Sequence, residues 1–592
     1  MGTRLGAAVL VMLMASMGPA GAVVRETGAA RSGAIGAIAP GIEVAGWVTD
    51  PAGRGAPQLF IGDLEDLPAG AGFIWADVPY PMGVGQGVAV VGADDWQLRG
   101  WSGGGIAVAV IDLGFSGYQG LVGSELPDGV IARSFRSDGG MGSLPHGTAA
   151  AEIVHEVAPG AELHLLSYDY SLGPVIDYLI AEDIDVVSFS VGYLSGPLDG
   201  TSPVAVAVQR ALDAGIVWVT AAGNYAHRHW GGTPGDGDGW VGVDGADEIN
   251  EFEVAAGDEF HLYLSWLGDA DLDLCLYEVP ASLGDPLACA AGVQTADSRP
   301  LEVVMWENDS VSPQRYGFAV RNVRGGADRV DVFGWNIHSL EHPVAASSIV
   351  VPGDVTGAVT VGAVPWSDPS SAASFSSRGP TVDGRPKPDL VAPSGVSTRA
   401  AGAFVGTSAS APHVAGLAAL LLAAYPATTA TEVPALLAHR AASLGPAHTY
   451  GAGLAMAGPR HRPCYGHAPT VVGTSGADVI EGTGARDVIS ALGGDDVVRS
   501  RGGDDLVCAG SGDDLVRGGS GDDRLIGNSG DDELFGGGMS DRVLGGGGDD
   551  VLWGGSGKDL LRGGSGDDRG RGGGGIDRCS GGSFEECERV PR

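Results

Sequence analysis

Twelve aspartates recur at an unbroken interval of nine residues, at positions 478, 487, 496, 505, 514, 523, 532, 541, 550, 559, 568 and 577. In five of these repeats, those ending in Asp523, Asp550, Asp559, Asp568 and Asp577, the full pattern GGxGxD leads up to the aspartate. Two residues beyond most of the twelve stands Ile, Val or Leu. By composition alone a Gly- and Asp-rich tail could be a disordered linker, but a linker has no use for an aliphatic residue at every ninth step. The register therefore demands a folded array of similar small units. Glycine accounts for 102 of the 592 residues, with the excess mostly after residue 470. A formal net charge of -39 and a pI near 4.4 would repel nucleic acid and anionic membranes, so neither is expected as a partner; divalent cations are the better match.

The N-terminus places Arg4 before the apolar run LGAAVLVMLMASM and then Ala20-Gly21-Ala22. That order is a charged region, an apolar region and an A-x-A site, which predicts export with cleavage after Ala22. The run is about a dozen residues, short of the roughly 20 a bilayer span needs. VAGLAALLLAAY from Val414 is also too short, so no membrane span is expected and the mature chain is expected to be secreted and soluble. Six cysteines, at 275, 289, 464, 508, 579 and 587, show no metal-ligand spacing. In an oxidising compartment disulfides are their natural use, and the spacing favours the local pairs 275/289 and 579/587, leaving 464/508.

Residues 23–85 are rich in Gly, Ala and Pro with weak strand patterns, and read as a propeptide or an N-terminal extension. GIAVAVIDLG, AELHLLSYD, IDVVSFSVG, GIVWVTAAG and VTGAVTVGAV are then continuous apolar runs of the kind buried in a parallel sheet. Helical patterns such as TAAAEIVHEV and PVAVAVQRALDAG alternate with them, which predicts an α/β architecture. Between His229 and about Glu341 the period changes to two, in segments such as EFEVAAGDEFHLYLSWLG and RYGFAVRNV. This predicts an antiparallel β-sandwich inserted in the α/β unit.

Four positions in the α/β part carry possible chemistry. Asp112 ends an apolar strand at the carboxyl edge of the sheet, where open α/β proteins bind ligands, although a strand-end Asp often only caps a turn. His146, in LPHGTAAAEIV, stands at a helix start beside a glycine that permits close approach. Ser408, in FVGTSASAPHVAG, begins a long apolar helix, where a hydroxyl meets backbone N–H groups able to face an oxyanion; an ordinary N-cap is the plain alternative. Asn224, in VWVTAAGNY, follows another buried strand and can offer a side-chain amide as an oxyanion donor, or simply occupy a turn.

Together the order and flanks of these residues resemble the subtilisin-like serine peptidases. The matching motifs are Asp112-Leu113-Gly114, His146-Gly147-Thr148, Ala221-Ala222-Gly223-Asn224 and Gly406-Thr407-Ser408-Ala409-Ser410-Ala411-Pro412, with SSRGPTVDGRPKPDLVAPS from Ser376 also similar. The resemblance covers about residues 85–225 and 345–450. It implies Ser408 as nucleophile, His146 as general base and then acid, and Asp112 as the group that orients and stabilises the imidazolium. Asn224 and the Ser408 N–H would form the oxyanion hole. Ser190, Val191 and Gly192 would pair with substrate as a strand edge, facing Ala222 and Gly223 across the S1 pocket. Three departures stand out: Leu113 replaces a hydroxyl residue, Pro145 replaces the glycine before the histidine, and Asn224 and Ser408 stand 184 residues apart, the excess being taken up by the inserted segment.

The nonapeptides resemble the RTX calcium repeats over residues 473–577. The resemblance implies a parallel β-roll with one short strand per repeat, its core filled by the aliphatic residue and calcium held between turns. Calcium takes six to eight oxygen ligands, and a GGxGxD turn supplies a carboxylate with backbone carbonyls. Asp514, Asp523, Asp532, Asp541, Asp550, Asp559, Asp568 and Asp577 are the ligands expected. The first repeats are degenerate, and Gly570 replaces the core aliphatic in the penultimate one. In the insertion Asp269, Asp271 and Asp273 could ligate calcium, but a solvated turn is the favoured reading.

The expected organisation is a signal peptide (1–22), an extension or propeptide (23–85), an α/β catalytic domain in two parts (86–229 and 346–458) around an inserted sandwich (230–345), and a calcium-binding roll (459–592). The expected function is a secreted serine endopeptidase acting on polypeptides, with calcium as its ion. The alternative is an inactive peptidase-like scaffold serving as a calcium-dependent adhesin.

Overall fold

The computed structural model describes residues 85–592, except 170, 195, 234–238, 245–246, 280–284, 293–299, 459–463 and 590–592, together with three earlier strands. The export signal expected over 1–22 and most of 23–85 lie outside the described residues. The three strands, Glu43–Thr49, Gln58–Asp63 and Gly72–Trp75, pair antiparallel with the first in the centre. They belong to a unit of their own, Met1–Tyr80, distinct from Pro81–Arg592.

Within Pro81–Arg592 the apolar runs form a seven-stranded parallel sheet. Its labelled elements are β1 (Ala107–Asp112), β2 (Ile131–Ser134), α1 (His146–Val157), β3 (Glu162–Ser167), β4 (Val186–Phe189), β5 (Val217–Ala221), β6 (Val359–Pro365), β7 (Leu390–Ser394) and α2 (Thr407–Ala424). The strand order is β7-β6-β5-β4-β1-β3-β2, all parallel. The direction of winding reverses between β1 and β4, so the crevice at their carboxyl ends is a topological switch point. Side chains alternate across β1. Val108 and Val110 join the core under α1 and α2, with Ile153, Leu417 and Leu421, whereas Ala109 and Ile111 face the opposite layer with Ile176, Leu179 and Trp218.

Helix α2 is apolar enough for a membrane span by length and composition, but its 18 residues are buried almost throughout inside the α/β core. Strands β2 and β7 did not stand out in the sequence. One is four residues long and the other contains Pro393, which an edge strand tolerates because one side of its backbone needs no ladder partner.

Between β5 and β6 two four-stranded antiparallel sheets pack face to face. Phe252, from one sheet, meets Phe260, from the other, edge to face at 5.2 Å. Phe260, Leu262 and Leu264 alternate inward along Glu259–Gly268, as the period-two pattern required. Asp271 and Asp273 correct the expected solvated turn: both are buried on the strand Asp271–Glu278 and paired with Arg324 and Arg321. Asp269 alone lies in the turn, accepting from the Gly326 N–H at 3.1 Å.

The C-terminal repeats coil into two parallel stacks of eight and seven strands, each strand pairing with the one 18 residues away except at the C-terminal end of each stack, where the offset shortens. Ile489, Val498, Val507, Val516, Leu525, Leu534, Val543, Leu552 and Leu561 form the fully buried seam between the stacks. At Gly570, where the aliphatic is missing, a Cβ would lie 3.1 Å from the Phe584 ring. Phe584 packs against that seam from the neighbouring strand and takes up the space. The disulfides join Cys275 to Cys289, Cys464 to Cys508 and Cys579 to Cys587.

Candidate active site

Asp112 closes β1 and is 1% exposed. Its Oδ1 accepts the N–H groups of Leu113 (2.8 Å) and Gly114 (3.3 Å), and its Oδ2 lies 2.7 Å from His146 Nδ1. Leu113 therefore does not leave the carboxylate bare, because the backbone supplies what its side chain lacks. His146 is the first residue of α1, with Pro145 at the cap position. Proline costs little there, since the first turn of a helix has donors without intrahelical acceptors anyway. A Cβ on Gly147 would stand 2.6 Å from Asp112 Cβ and 2.8 Å from the Gly114 carbonyl. Glycine after the histidine thus lets α1 close onto the end of β1. The His146 side chain is 33% exposed and meets Phe404 edge to face at 5.1 Å. Burial disfavours its imidazolium, but the charge of Asp112 and the hydrogen bond to it prevail and hold the pKa above the ordinary 6.5.

Ser408 is the second residue of α2, in the first turn, where backbone N–H groups have no carbonyl to pair with. Pro412 stands four residues on and cannot donate to the Ser408 carbonyl. That freed carbonyl accepts instead from Ser190 Oγ at 3.0 Å, while Ser408 Oγ donates to the Ser190 carbonyl at 3.3 Å. The pair pins the start of α2 to the residue just after β4. Because Ile111 and Phe189 are register partners, Ser190 is level with Asp112 on the adjacent strand. Among the described residues no hydrogen bond joins Ser408 to His146. The hydroxyl rests on a backbone carbonyl, and loose nucleophile–base contacts are common without substrate.

Asn224 lies three residues beyond β5. Its Oδ1 accepts from the Thr407 N–H (2.9 Å) and the Thr407 hydroxyl (3.2 Å), which commits the oxygen and turns the amide NH2 away from that contact. Gly223 donates to the same hydroxyl at 3.1 Å. Thr407 is thus a positioning residue that the sequence reading passed over, although GTS contains it. Ala222 is buried, and its carbonyl accepts from the Val350 N–H at 3.1 Å. On the other side Val191 is half-buried and Gly192 exposed, and the Gly192 N–H and C=O have no protein partner among the described residues, which leaves a strand edge open to pairing.

In the roll, each register aspartate accepts at Oδ1 from the N–H of the aspartate 18 residues earlier, at 2.8 to 3.0 Å from Asp496 through Asp577. Every corresponding Oδ2, from Asp496 to Asp577, is buried without a hydrogen-bond partner. A Cβ on Gly527 would lie 2.1 Å from Asp532 Oδ2 and 2.6 Å from the Gly545 carbonyl, so glycine keeps that oxygen-lined space clear. Burial foremost, reinforced by carboxylates of neighbouring residues and coils, pushes Asp505, Asp532 and Asp541 up to about 7 and Asp514, Asp523 and Asp550 up to about 6. A row of buried, unpartnered carboxylate oxygens is what a cation would satisfy. Among the described residues no three His, Cys, Asp or Glu side chains form a cage, so backbone carbonyls would have to complete any coordination shell. A second ladder was not anticipated. The first residue of the Asp-Asp doublets lies outermost, with Asp495, Asp513, Asp531 and Asp549 each accepting from the N–H 18 residues later.

A doubly wound parallel sheet carrying an aspartate, a histidine and a helix-start serine at its carboxyl edge defines the serine-hydrolase class of α/β proteins. Within that class the chain belongs to the subtilase family, whose profile matches residues 103–453. RTX calcium-binding nonapeptide repeats match in four copies, at 472–507, 509–543, 535–569 and 544–579. Serine protease AprX of Bacillus subtilis is 37% identical over 116 residues, covering 16% of this chain and 26% of that protein. Subtilisin of Bacillus pumilus is 37% identical over 116 residues, covering 19% of this chain and 39% of the relative. The chain thus spans well under two thirds of the length of these relatives. Among solved structures the CspB protease of Clostridium perfringens aligns over 62% of this chain and 95% of its own, at 16% identity and a TM-score of 0.45.

Proposed function

We propose that the chain is a secreted serine endopeptidase, with Asp112, His146 and Ser408 as its triad and a calcium-loaded roll at its C-terminus. The observation that carries this reading is the meeting of three elements at one switch point. Asp112 Oδ2 sits 2.7 Å from His146 Nδ1, and Ser408 is bonded to Ser190 on the strand beside Asp112. His146 Nε2 takes the proton of Ser408 Oγ as that oxygen attacks the scissile carbonyl carbon. The carbonyl oxygen becomes an oxyanion that receives hydrogen bonds from the Ser408 N–H and Asn224 Nδ2. Collapse breaks the C–N bond, and the imidazolium returns its proton to the leaving amine. Water, deprotonated by the same imidazole, then hydrolyses the acyl-enzyme. Asp112 keeps the Nδ1 proton in place and stabilises the charged ring throughout.

Ser190 to Gly192 offer a strand edge to the substrate backbone, with Ala222 and Gly223 across from them. The aspartates from Asp514 to Asp577 would hold calcium through Oδ2, with glycine carbonyls of adjacent coils completing the shell. Supporting export are the N-terminal signal pattern and three disulfides. The decisive experiment uses Ser408→Ala. Peptide hydrolysis and labelling by a fluorophosphonate are expected to vanish while the circular dichroism spectrum is kept. Unchanged hydrolysis in that variant refutes the assignment.

A further inference from the structure

The two walls expected to frame the S1 pocket are the segment 190–192, exposed at Gly192, and the segment Ala222-Gly223. Between them lies the side chain of Val350, a residue no motif singled out. A Cβ on Gly192 would be 2.6 Å from Val350 Cγ2, and a Cβ on Gly223 would be 3.0 Å from each Val350 methyl carbon. One isopropyl group thus touches both walls. Val350 is fully buried, and its backbone is held from both sides: its N–H donates to the Ala222 carbonyl at 3.1 Å, and next to it the Val351 carbonyl accepts from the Tyr193 N–H at 2.8 Å. Val350 belongs to one buried cluster with Leu194, Leu198, Val351 and Phe333, the last from the inserted sandwich, so the side chain sits in a filled interior. Ser377 Oγ also borders the Gly223 wall, 2.9 Å from where a Cβ on Gly223 would stand.

We propose that Val350 plugs the S1 pocket and makes this enzyme cleave after small residues, alanine, serine or glycine, in preference to aromatic or long aliphatic ones. The inference rests on the peptidase reading above and adds its substrate class. A large P1 side chain would have to displace a packed valine, and forcing extra carbons into a filled site carries a steep penalty. An apolar pocket discriminates by about 10- to 200-fold for a single methylene. The insertion bears on the plug, because the chain returns from it into Val350 and its Phe333 lies in the same buried cluster.

The test is a set of peptide p-nitroanilides identical except for Ala, Leu or Phe at P1, assayed on the full chain with calcium. The expected kcat/KM for Ala exceeds that for Phe by about 100-fold or more. Val350→Gly and the milder Val350→Ala are expected to lower that ratio by about 10-fold or more, by admitting the larger side chain. Val350→Ile is expected to raise it. If the glycine variant does not fold, the wild-type ratio and the other two variants still decide. Equal or better cleavage after Phe by the wild-type enzyme, or a ratio unmoved in Val350→Ala, overturns the inference while leaving the peptidase reading intact. No cleavage of any peptide, with Ser408 unlabelled by a fluorophosphonate, overturns both.

Discussion

Removing calcium from the roll should make its folding depend on pH in the direction opposite to that of an ordinary acidic protein. Asp505, Asp532 and Asp541 stand at about 7 and Asp514, Asp523 and Asp550 at about 6 in the folded, ion-free roll, against 3.8 for an unhindered aspartate. A carboxyl whose folded pKa is raised stabilises the fold while it is protonated. That stability is complete below pH 3.8 and disappears as pH rises through 6 to 7. Near pH 5 the folded roll holds about five protons more than the unfolded chain, and each contributes about 1.4 kcal/mol per pH unit. Halving the total for solvent that reaches the coil edges leaves about 3.5 kcal/mol per pH unit. That is enough to unfold a glycine-rich segment, whose backbone is costly to order, within one or two units. Hydrogen exchange of the full-length Ser408→Ala protein in EDTA, corrected for intrinsic rates, reads this segment by segment. Peptides spanning 496–577 should be protected near pH 5 and exposed near pH 8, and millimolar calcium should restore protection near pH 8. Magnesium should do so poorly, because it demands stricter octahedral geometry. Equal protection in EDTA at both pH values would refute the reasoning, since protons would then not be substituting for the ion.

Two further outcomes concern the catalytic centre. Asn224→Ala should lower kcat by about 10²- to 10³-fold with little change in KM, because its amide acts mainly on the transition-state oxyanion; steady-state kinetics showing an unchanged kcat assigns that role to another donor. The acid limb of kcat/KM should have its midpoint above 6.5, since His146 must be neutral to accept the serine proton and Asp112 holds its pKa up. In Asp112→Asn that limb should move to lower pH while kcat falls by about 10⁴-fold, and a midpoint that stays in place means that Asp112 does not set the titration.

The parts legible in the sequence are those where a single residue type answers a local demand. The nine-residue register could be read because one aspartate and one aliphatic per coil are obligatory, and HGT and GTSxxxP because Gly147 and Pro412 answer backbone constraints at their own positions. Contacts across long sequence distances were not legible. Nothing near Val350 in the chain marks it as a neighbour of Gly192 and Gly223; only the parallel sheet and the return from the sandwich bring the three together. Asp271 and Asp273 read as turn residues because charge suggests solvent, yet both lie on a strand where arginines from the next strand neutralise them. Strand β7 was masked by Pro393, and the spacing showed a gap at Gly570 but not that Phe584, on the following coil, would occupy it.

The roll is attached at the end of the α/β core remote from Ser408. Glu432 forms an ion pair with Arg486 and lies 3.6 Å from His467 Nδ1, Arg524 lies over the Tyr465 ring at 3.9 Å, and Cys464 is bonded to Cys508. Immediately after Glu432, the helix Val433–Arg440 buries Val433, Leu436 and Leu437 in the same core as α2. Its Arg440 donates to the hydroxyl of Tyr425, the residue that caps the C-terminus of α2. With 18 residues, α2 is about 27 Å long, and Ser408 is at its other end. That end is held independently by Ser190, while Asn224 fixes Thr407 beside it. Ordering of the roll therefore reaches the α/β core through packing and an ion pair at the C-terminus of α2, where it adds to the stability of the core. It leaves the geometry around the serine to the sheet. On the proposed reading, calcium is expected to lengthen the half-life of peptidase activity in thermal inactivation and to leave kcat unchanged, and a kcat that falls in EDTA as steeply as the half-life would refute this.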